Sequence, residues 1–242
     1  MRNNVVLIPT YNEADSIVNV LNQLNSLNVD IIVIDDNSPD GTAALIQDLG
    51  LSHIMVIEHG KKQGIGPAYI AGFRIALEKG YEKIATMDAD GSHRIADLAS
   101  MFKKADSCDV VMGTRWMSGG SVSNWPSYRR FLSRFGTWYA TTCLKLAYRD
   151  LTGGLRIYSS KVLNLLDLNS IRSNGYCFQI EMIRALSTLS AHFEEVPIHF
   201  IERSQGKSKM SRNIVLEAFL RTTVWGIQRI FGHNADKLHY VK

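Results

Sequence analysis

The chain has 242 residues, a formal charge of +4 and 45% hydrophobic residues, which are ordinary values for a folded globular protein. They exclude a disordered, fibrous or low-complexity chain. The small net charge does not argue for a nucleic-acid coat, although it is compatible with a locally basic surface that faces acidic lipid or phosphate.

The three cysteines are far apart and include no CxxC pair: Cys108, Cys143 and Cys177. This spacing argues against a disulfide framework and a structural zinc site, and it favours a reducing compartment. The first apolar run is too short for a signal peptide, and no run reaches the roughly 20 residues of a membrane span. We therefore expect a cytoplasmic protein that meets a membrane only peripherally.

The first half of the chain alternates short β-branched runs with helical patterns. Continuous apolar runs are typical of strands that are buried on both faces, as in a parallel sheet. The predicted strands are 5–8, 31–34, 54–57, 84–87 and 110–112, and the predicted helices are 14–24, 43–49, 68–77 and 96–104. This order predicts an α/β domain with a mainly parallel sheet, whose ligands bind beyond the carboxyl ends of the strands.

The second half is less regular. We predict a flexible Gly-Gly-Ser loop at 119–121, helices at 127–148, 178–189 and 213–231, strands at 155–158 and 196–201, and a polar loop at 203–210. Because no long linker is present, we expect one domain over 1–242. Its parts would be a regular first half (1–115), a less regular second part (116–210) and a C-terminal amphipathic segment (211–242).

Polar residues follow the first two predicted strands. Beyond Pro9, Tyr11 offers an aromatic face for a base, and Glu13 offers an acceptor for base or sugar N–H and O–H groups. An acidic first helical turn is the alternative role for Glu13. After the second strand, Asp35 and Asp36 would repel unless something binds them, and Asp35 is a candidate acceptor for base or ribose. The next residues, 40–42, predict a turn and a helix cap at Thr42.

A glycine-rich segment, 60–66, resembles a phosphate loop but lacks the Walker spacing. We favour the alternative that its glycines allow the following helix to pack closely.

The loop after the fourth strand carries the most specific signal in the chain. Asp88 and Asp90 are hard oxygen ligands two positions apart, which suits Mg²⁺ or Mn²⁺ with coordination sites left open for substrate phosphates. His93 is expected to support this site rather than to ligate the metal. After the fifth strand, Arg115 either reaches a phosphate in the same cleft or is an exposed surface residue.

Several motifs in this order resemble the inverting glycosyltransferases of family 2, which have the nucleotide-sugar-binding type A fold. Those motifs are Pro9-Thr10-Tyr11-Asn12-Glu13, Asp35 to Thr42, Asp88-Ala89-Asp90 and Gly113-Thr114-Arg115. Three later segments are similar to dolichyl- or polyprenyl-phosphate mannose synthases: 150–156, 175–182 and 203–209.

The resemblance implies a role for each matching residue. The guanosine of GDP-mannose would be held by Pro9, Tyr11, Glu13, Val33 and Asp35. The sugar diphosphate and its Mg²⁺ or Mn²⁺ would be bound by Asp88, Ala89 and Asp90, with Ser92 at a position that is a Gln in some relatives. The remaining phosphate contacts would come from Arg115, Arg203 and Lys209, and the acceptor lipid phosphate would be held by Arg129 and Ser133.

The implied reaction transfers mannose to a polyprenyl or dolichyl monophosphate. Such an acceptor is already an anion and needs no general base, so direct attack would invert the anomeric centre and yield a β-linked product. Many relatives carry C-terminal membrane spans, and this sequence shows no such span. We therefore expect that a separate subunit anchors the protein to a membrane. Segments 127–148 and 214–231 are expected to lie in the interface of a membrane rather than to cross it, with core packing as the alternative for both.

Two other functions remain possible at this point: the same fold using another sugar, such as a polyprenyl-phosphate glucosyltransferase, and a non-catalytic nucleotide-binding module. Retention of both Asp88 and Asp90 argues against a dead binder. The chain carries no nucleic-acid recognition motif.

Overall fold

The structure is a computed structural model that describes residues 2–202 and 212–231. Nine strands are seen in this part of the chain: β1 (Asn4–Thr10), β2 (Asp30–Asp35), β3 (Ile54–Glu58), β4 (Lys83–Thr86), β5 (Val110–Thr114), β6 (Ser121–Ser123), β7 (Arg156–Ser159), β8 (Phe193–Pro197) and β9 (His199–Ile201). The helices are α1 (Ala14–Leu24), α2 (Thr42–Gln47), α3 (Ile65–Glu78), α4 (Ile95–Lys104), α5 (Ser127–Leu144), α6 (Ser160–Leu165), α7 (Gly175–Thr188) and α8 (Arg212–Ile230).

A seven-stranded sheet with the order β3-β2-β1-β4-β7-β5-β8 forms the centre of the fold. All neighbouring pairs are parallel except those of β7, which runs antiparallel to β4 and β5. The predicted α/β class and mainly parallel sheet are therefore confirmed. Because β7 is reversed, its start lies at the same edge of the sheet as the ends of β4 and β5.

Two apolar cores cover the two faces of the sheet, as continuous apolar strands require. One core joins the sheet to α3 and α7 through residues such as Phe73 and Phe178. The other joins it to α1 and α4 through residues such as Leu21 and Leu98. The sheet is thus closed to water on both faces, and its carboxyl edge is left for ligands.

Several predicted elements differ from those observed. The predicted strand 196–201 is divided into β8 and β9, and β9 pairs with β6 in a second, two-stranded sheet. Residue Ser121, placed in a flexible loop by prediction, begins β6. Helix α5 ends at Leu144 because Lys145 adopts a left-handed conformation, with φ of 53°. Helix α6 was not predicted, and the polar loop 203–210 lies outside the described residues.

Helices α5 and α8 pack against each other at the side of the domain. The ring of Tyr139 lies 5.0 Å from that of Phe219, and the Tyr139 hydroxyl is 2.6 Å from Oγ1 of Thr223. Both helices also present exposed apolar side chains: Tyr128, Phe131, Phe135 and Trp138 on α5, and Leu216, Leu220, Val224, Ile227 and Ile230 on α8. Within residues 2–202 and 212–231, no helix is long and apolar enough to cross a membrane.

Candidate active site

A cleft of about 450 Å³ runs along the carboxyl edge of the sheet. Its lining includes most of the residues predicted to form the site: Pro9, Tyr11, Glu13, Asp88, Ala89, Asp90, Arg115 and Arg129. The loops after β1, β4 and β5 supply most of these residues, and α5 supplies Arg129. The structure therefore brings together side chains that are up to 120 positions apart in the chain (129 − 9).

Tyr11 and Glu13 lie at the end of the cleft next to β1. The ammonium of Lys62 sits 3.6 Å from the centre of the Tyr11 ring, where it makes a cation–π contact. Glu13 accepts a hydrogen bond from Ser16 Oγ at 3.2 Å and lines the same end of the cleft. This end of the cleft therefore brings together the Tyr11 ring, the Glu13 carboxylate and the Lys62 ammonium.

Asp35 and Val33 do not line the cleft, contrary to the expected contact with a nucleoside. Asp35 is buried, and it accepts hydrogen bonds from Thr10 Oγ1 at 2.7 Å, Ser38 Oγ at 2.6 Å and Ser38 N at 2.8 Å. Val33 is buried in the core between the sheet and α1. Asp35 thus ties the ends of β1 and β2 together through hydrogen bonds from within the chain.

Asp36 explains why the glycine-rich segment is not a phosphate loop. Its carboxylate accepts hydrogen bonds from the backbone N–H groups of Gln63 at 2.8 Å and Gly64 at 2.6 Å, and His59 Nδ1 lies 3.1 Å away. The amides that would hold a phosphate are therefore already bound. A Cβ at Gly66 would come within 2.2 Å of the Ser173 carbonyl oxygen, so this glycine permits close helix packing as predicted.

The turn after Asp36 is structural, although the predicted cap at Thr42 is wrong. Helix α2 begins at Thr42 itself and is preceded by Gly41 in a left-handed conformation. The carboxylate of Asp40 accepts from the N–H of Thr42 at 3.1 Å and from that of Ala14 at 3.1 Å. Asp40 therefore joins the starts of α1 and α2.

Asp88 and Asp90 lie in the middle of the cleft, in the turn that follows β4. Nε2 of the buried His93 is 3.2 Å from Oδ2 of Asp88, in agreement with a supporting role. On the other side, a Cβ at Gly154 would lie 3.3 Å from Oδ1 of Asp88, so the start of β7 approaches this carboxylate closely. Burial, together with the charge of Asp88, raises the pKa of Tyr69 beneath the pair well above its usual value.

The Asp88 and Asp90 pair fits a hard divalent cation that takes its remaining ligands from substrate and water. Within residues 2–202 and 212–231, no three His, Cys, Asp or Glu side chains converge in a metal-binding group. Ser92, the expected third ligand, is buried and does not line the cleft, although its N–H donates to Asp90 Oδ1 at 3.0 Å. A closed structural metal site is therefore not formed by these residues, whereas an open site for a metal diphosphate is compatible with them.

Arg115 is buried, so the alternative of an exposed surface arginine is wrong. Its guanidinium pairs with Asp150, with Nε 2.7 Å from Oδ2 and Nη2 2.8 Å from Oδ1. Burial alone would raise the pKa of Asp150, but the charge and hydrogen bonds of Arg115 outweigh it and hold the pKa below its usual value. Nη2 also donates to Thr152 Oγ1 at 2.8 Å and to Ser133 Oγ at 3.3 Å. Arg115 is thus held in a fixed orientation at the cleft.

Arg129 and Ser133, the predicted acceptor-phosphate residues, lie where the cleft meets a second cavity. Arg129 pairs with Glu202 at 2.5 Å and stacks on Trp125, whose ring centre is 4.4 Å away. Both residues also line a narrow cavity of about 70 Å³ between α5, α7 and α8, which is mostly apolar. Its walls include Leu132, Tyr139, Ile180, Val215, Ala218 and Phe219.

Reasoning from the sequence assigned no role to several residues at the cleft or next to it. Trp125 and Gln179 line the cleft, whereas Asp150 is the buried partner of Arg115 and does not line it. Only the resemblance, through segments 150–156 and 175–182, pointed towards Asp150 and Gln179. Arg203 and Lys209, predicted to contact phosphates, lie outside the described residues.

Comparison with known proteins identifies the family of the chain. Residues 5–166 match the family model "Glycosyl transferase family 2". The chain is 40% identical over 227 residues to an undecaprenyl-phosphate mannosyltransferase of Micrococcus luteus, covering 92% of this chain and 93% of that protein. It is 39% identical over 230 residues to a polyprenol monophosphomannose synthase of Mycolicibacterium smegmatis, covering 93% and 87%.

Solved structures agree with the fold. A glucosyl-3-phosphoglycerate synthase from Mycobacterium tuberculosis, in complex with Mn²⁺ and UDP, superimposes with a TM-score of 0.63 at 16% identity, covering 96% of this chain and 80% of that one. A mannosyltransferase from Pyrobaculum calidifontis, in complex with GDP-Man and Mn²⁺, gives 0.55 at 14% identity, covering 98% and 77%. At these identities the likeness concerns the fold, which is the nucleotide-sugar-binding type A fold expected from the sequence.

Proposed function

The chain belongs to glycosyl transferase family 2, and from this membership we propose that it transfers mannose from GDP-mannose to a polyprenyl monophosphate. The observation that carries the proposal is the layout of the cleft. A carboxylate pair lies in its middle, a tyrosine ring lies at one end, and an apolar cavity lined by arginine opens at the other. The two relatives of about 40% identity are named for mannose transfer to such lipids.

The donor nucleoside is proposed to bind beside β1. The Tyr11 ring would stack on guanine, and the Glu13 carboxylate would accept from its ring and exocyclic N–H groups. Uracil has one ring N–H and no exocyclic amine, so a carboxylate in this place favours guanine. Pro9 completes this end of the cleft. For Val33 and Asp35 we retain no direct role with the ligand, because both are buried.

The diphosphate is proposed to lie at Asp88, Ala89 and Asp90, where the two carboxylates would hold Mg²⁺ or Mn²⁺. When bound, such an ion neutralises the charge of the leaving diphosphate. The chain's own contribution is to orient the carboxylates, through His93 on Asp88 and through the N–H of Ser92 on Asp90. Arg203 and Lys209 are proposed to add further phosphate contacts.

The acceptor phosphate is proposed to bind at Arg129 and Ser133, with Arg115 between it and the diphosphate. A phosphate monoester is an anion at neutral pH, so no residue has to remove a proton before it attacks the anomeric carbon. The task of the site is to align two anions, which the fixed guanidinium of Arg115 does at no cost in reorganisation. Attack from the side opposite the leaving group inverts the centre and gives a β-mannosyl phosphate.

The exposed apolar side chains of α5 and α8 are proposed to lie in the interface of a membrane. Trp138 and Ile230 are 58% and 70% exposed, which argues against the alternative of core packing for this face. Arg130 and Arg134 on α5 would meet acidic headgroups. A membrane anchor subunit stays a prediction that co-purification from membranes would test. We also keep the division into a nucleotide half (1–115), an acceptor half (116–210) and a C-terminal segment (211–242).

A radiolabelled transfer assay tests the proposal. The purified protein is incubated with GDP-mannose or UDP-glucose and a polyprenyl phosphate, with and without a chelator, and the extracted lipid is counted. We expect label in the lipid when GDP-mannose is the donor, and we expect the chelator to abolish it. The surface variant Gln23→Met, in which Asp90 is intact, should give the same label as the wild type. If only UDP-glucose labels the lipid, the protein is a glucosyltransferase and the proposed donor is wrong. If the protein binds nucleotide but transfers no sugar, the non-catalytic nucleotide-binding module is favoured.

A further inference from the structure

Gln179 is a buried polar residue of the cleft for which the proposed reaction has so far no use. It lies in α7, is only 4% exposed, and lines the cleft. Its Oε1 atom is shielded from solvent and has no hydrogen-bond partner among the residues that the structure describes. Buried side-chain amides are nearly always hydrogen-bonded, so an unpartnered one at a ligand cleft requires an explanation.

The position of Gln179 along the cleft indicates what it would contact. In the order of the sheet, β1 carries the nucleoside end, β4 carries Asp88 and Asp90, and β7 comes next. The guanidinium of Arg156, the first residue of β7, donates to the backbone carbonyl of Gln179 at 2.6 Å. This bond ties the backbone of Gln179 to the start of β7, which is the neighbour of β4 on the side away from β1.

This stretch is where the hexose of a nucleotide sugar must lie. The sugar is joined to the distal phosphate, so it follows the diphosphate along the cleft and precedes the acceptor phosphate. Gly154, two residues before β7, lets the backbone pass close to Asp88, since a Cβ there would lie 3.3 Å from Oδ1 of that carboxylate. The groups that a hexose presents here are hydroxyls, each of which is both a donor and an acceptor.

The part of α7 that carries Gln179, and the loop in front of it, are held in place before any ligand binds. The neighbouring Phe178 stacks on Tyr69 with ring centres 5.6 Å apart. The loop in front of α7 is fixed by Glu181, whose Oε2 accepts from the N–H groups of Arg172 and Ser173 at 3.1 and 2.9 Å. Because this backbone is already ordered, only the side chain of Gln179 has conformational entropy to lose when it makes a new hydrogen bond.

On the basis of the proposed function, we propose that Gln179 is a sugar-specificity residue whose side-chain amide hydrogen-bonds one hydroxyl of the transferred hexose. A site built to bind a hydroxyl rejects an analogue without it strongly, because its own buried polar group is then left unpaired. The wild-type protein should therefore discriminate by about 100-fold or more against one deoxy form of the donor sugar.

The test combines variants with deoxy donors. Gln179→Met keeps the length and the helix propensity of the side chain but removes its hydrogen bonds, Gln179→Glu keeps an acceptor, and the exposed Gln23→Met of α1 is the matched control. Affinities for GDP and for GDP-mannose, and kcat/KM for the 2-, 3-, 4- and 6-deoxy donors, are measured for each protein. GDP affinity separates nucleotide binding from sugar recognition.

We expect Gln179→Met to lose the discrimination at one hydroxyl position, to within about threefold, while GDP affinity and the other positions stay unchanged. Gln179→Glu should restore part of that discrimination. The inference is overturned if the variant lowers the rates of all donors equally, weakens GDP binding to the same extent, or retains the wild-type deoxy profile. If the wild type accepts only another nucleotide sugar, the proposed donor is wrong. The role of Gln179 is then tested in the same way with the deoxy forms of that sugar.

Discussion

The buried pair of Arg115 and Asp150 allows a sharp test of how the cleft is built. Asp150→Asn keeps the volume and one acceptor oxygen but removes the negative charge opposite Arg115. The two side chains are 4% and 0% exposed and are joined at 2.7 and 2.8 Å, so neither charge is screened by water. Removing one partner of a buried pair costs about 3–5 kcal/mol, and the remaining amide oxygen places this change near the lower end.

The expected loss of about 3 kcal/mol in the free energy of unfolding corresponds to a Tm lower by about 6–12 °C for a chain of this size. It is measured by guanidinium titration. The control is Glu217→Gln, which breaks the exposed pair with Arg221 on α8 and should cost only about 0.3–0.5 kcal/mol.

The pH dependence has a defined sign. Because the pKa of Asp150 is lower in the folded than in the unfolded protein, its contribution is fully present above the unfolded value and is lost as the pH falls through the folded value. The difference between wild type and Asp150→Asn should therefore be constant near neutral pH and shrink in acid. A difference below about 1 kcal/mol, or one that does not shrink in acid, would refute the reasoning.

Three further outcomes are expected. Asp90→Asn should lower lipid mannosylation by more than about 100-fold with an unchanged unfolding midpoint, and near-normal turnover would exclude the proposed metal role. Gly66→Ala should destabilise the fold by about 1–3 kcal/mol, because the new Cβ would lie 2.2 Å from the Ser173 carbonyl; an unaltered denaturation curve would contradict that packing. Phe131→Glu with Trp138→Ser should weaken sedimentation with anionic vesicles by at least about tenfold while sparing turnover of a short-chain acceptor. Equal binding by this variant would argue against the proposed membrane face.

Local patterns in the sequence determined the framework of this protein. Continuous apolar runs that alternate with helical patterns are typical of a sheet buried on both faces, and such a sheet leaves its carboxyl edge for ligands. The positions of Tyr11, Glu13, Asp88 and Asp90 at that edge follow directly, because each comes just after a strand. The amphipathic character of the terminal helix is likewise a property of residue spacing alone.

Tertiary structure decided which polar residues are available to a ligand. Asp35 and Asp36 both come at the end of a strand, as binding residues of such folds do. Asp35 is buried and its oxygens are bound by Thr10 and Ser38. Asp36 lines the cleft, but its oxygens are bound by the backbone of Gln63 and Gly64. The reversal of β7 likewise cannot be read from a short apolar strand, whose period is the same in both directions. That reversal brings Gly154 beside Asp88 and Gln179 over the same stretch of the cleft. Side-chain partners that lie 25 to 35 positions apart, such as Thr10 with Asp35 and Arg115 with Asp150, are chosen by the packing of the whole sheet and not by their sequence neighbours.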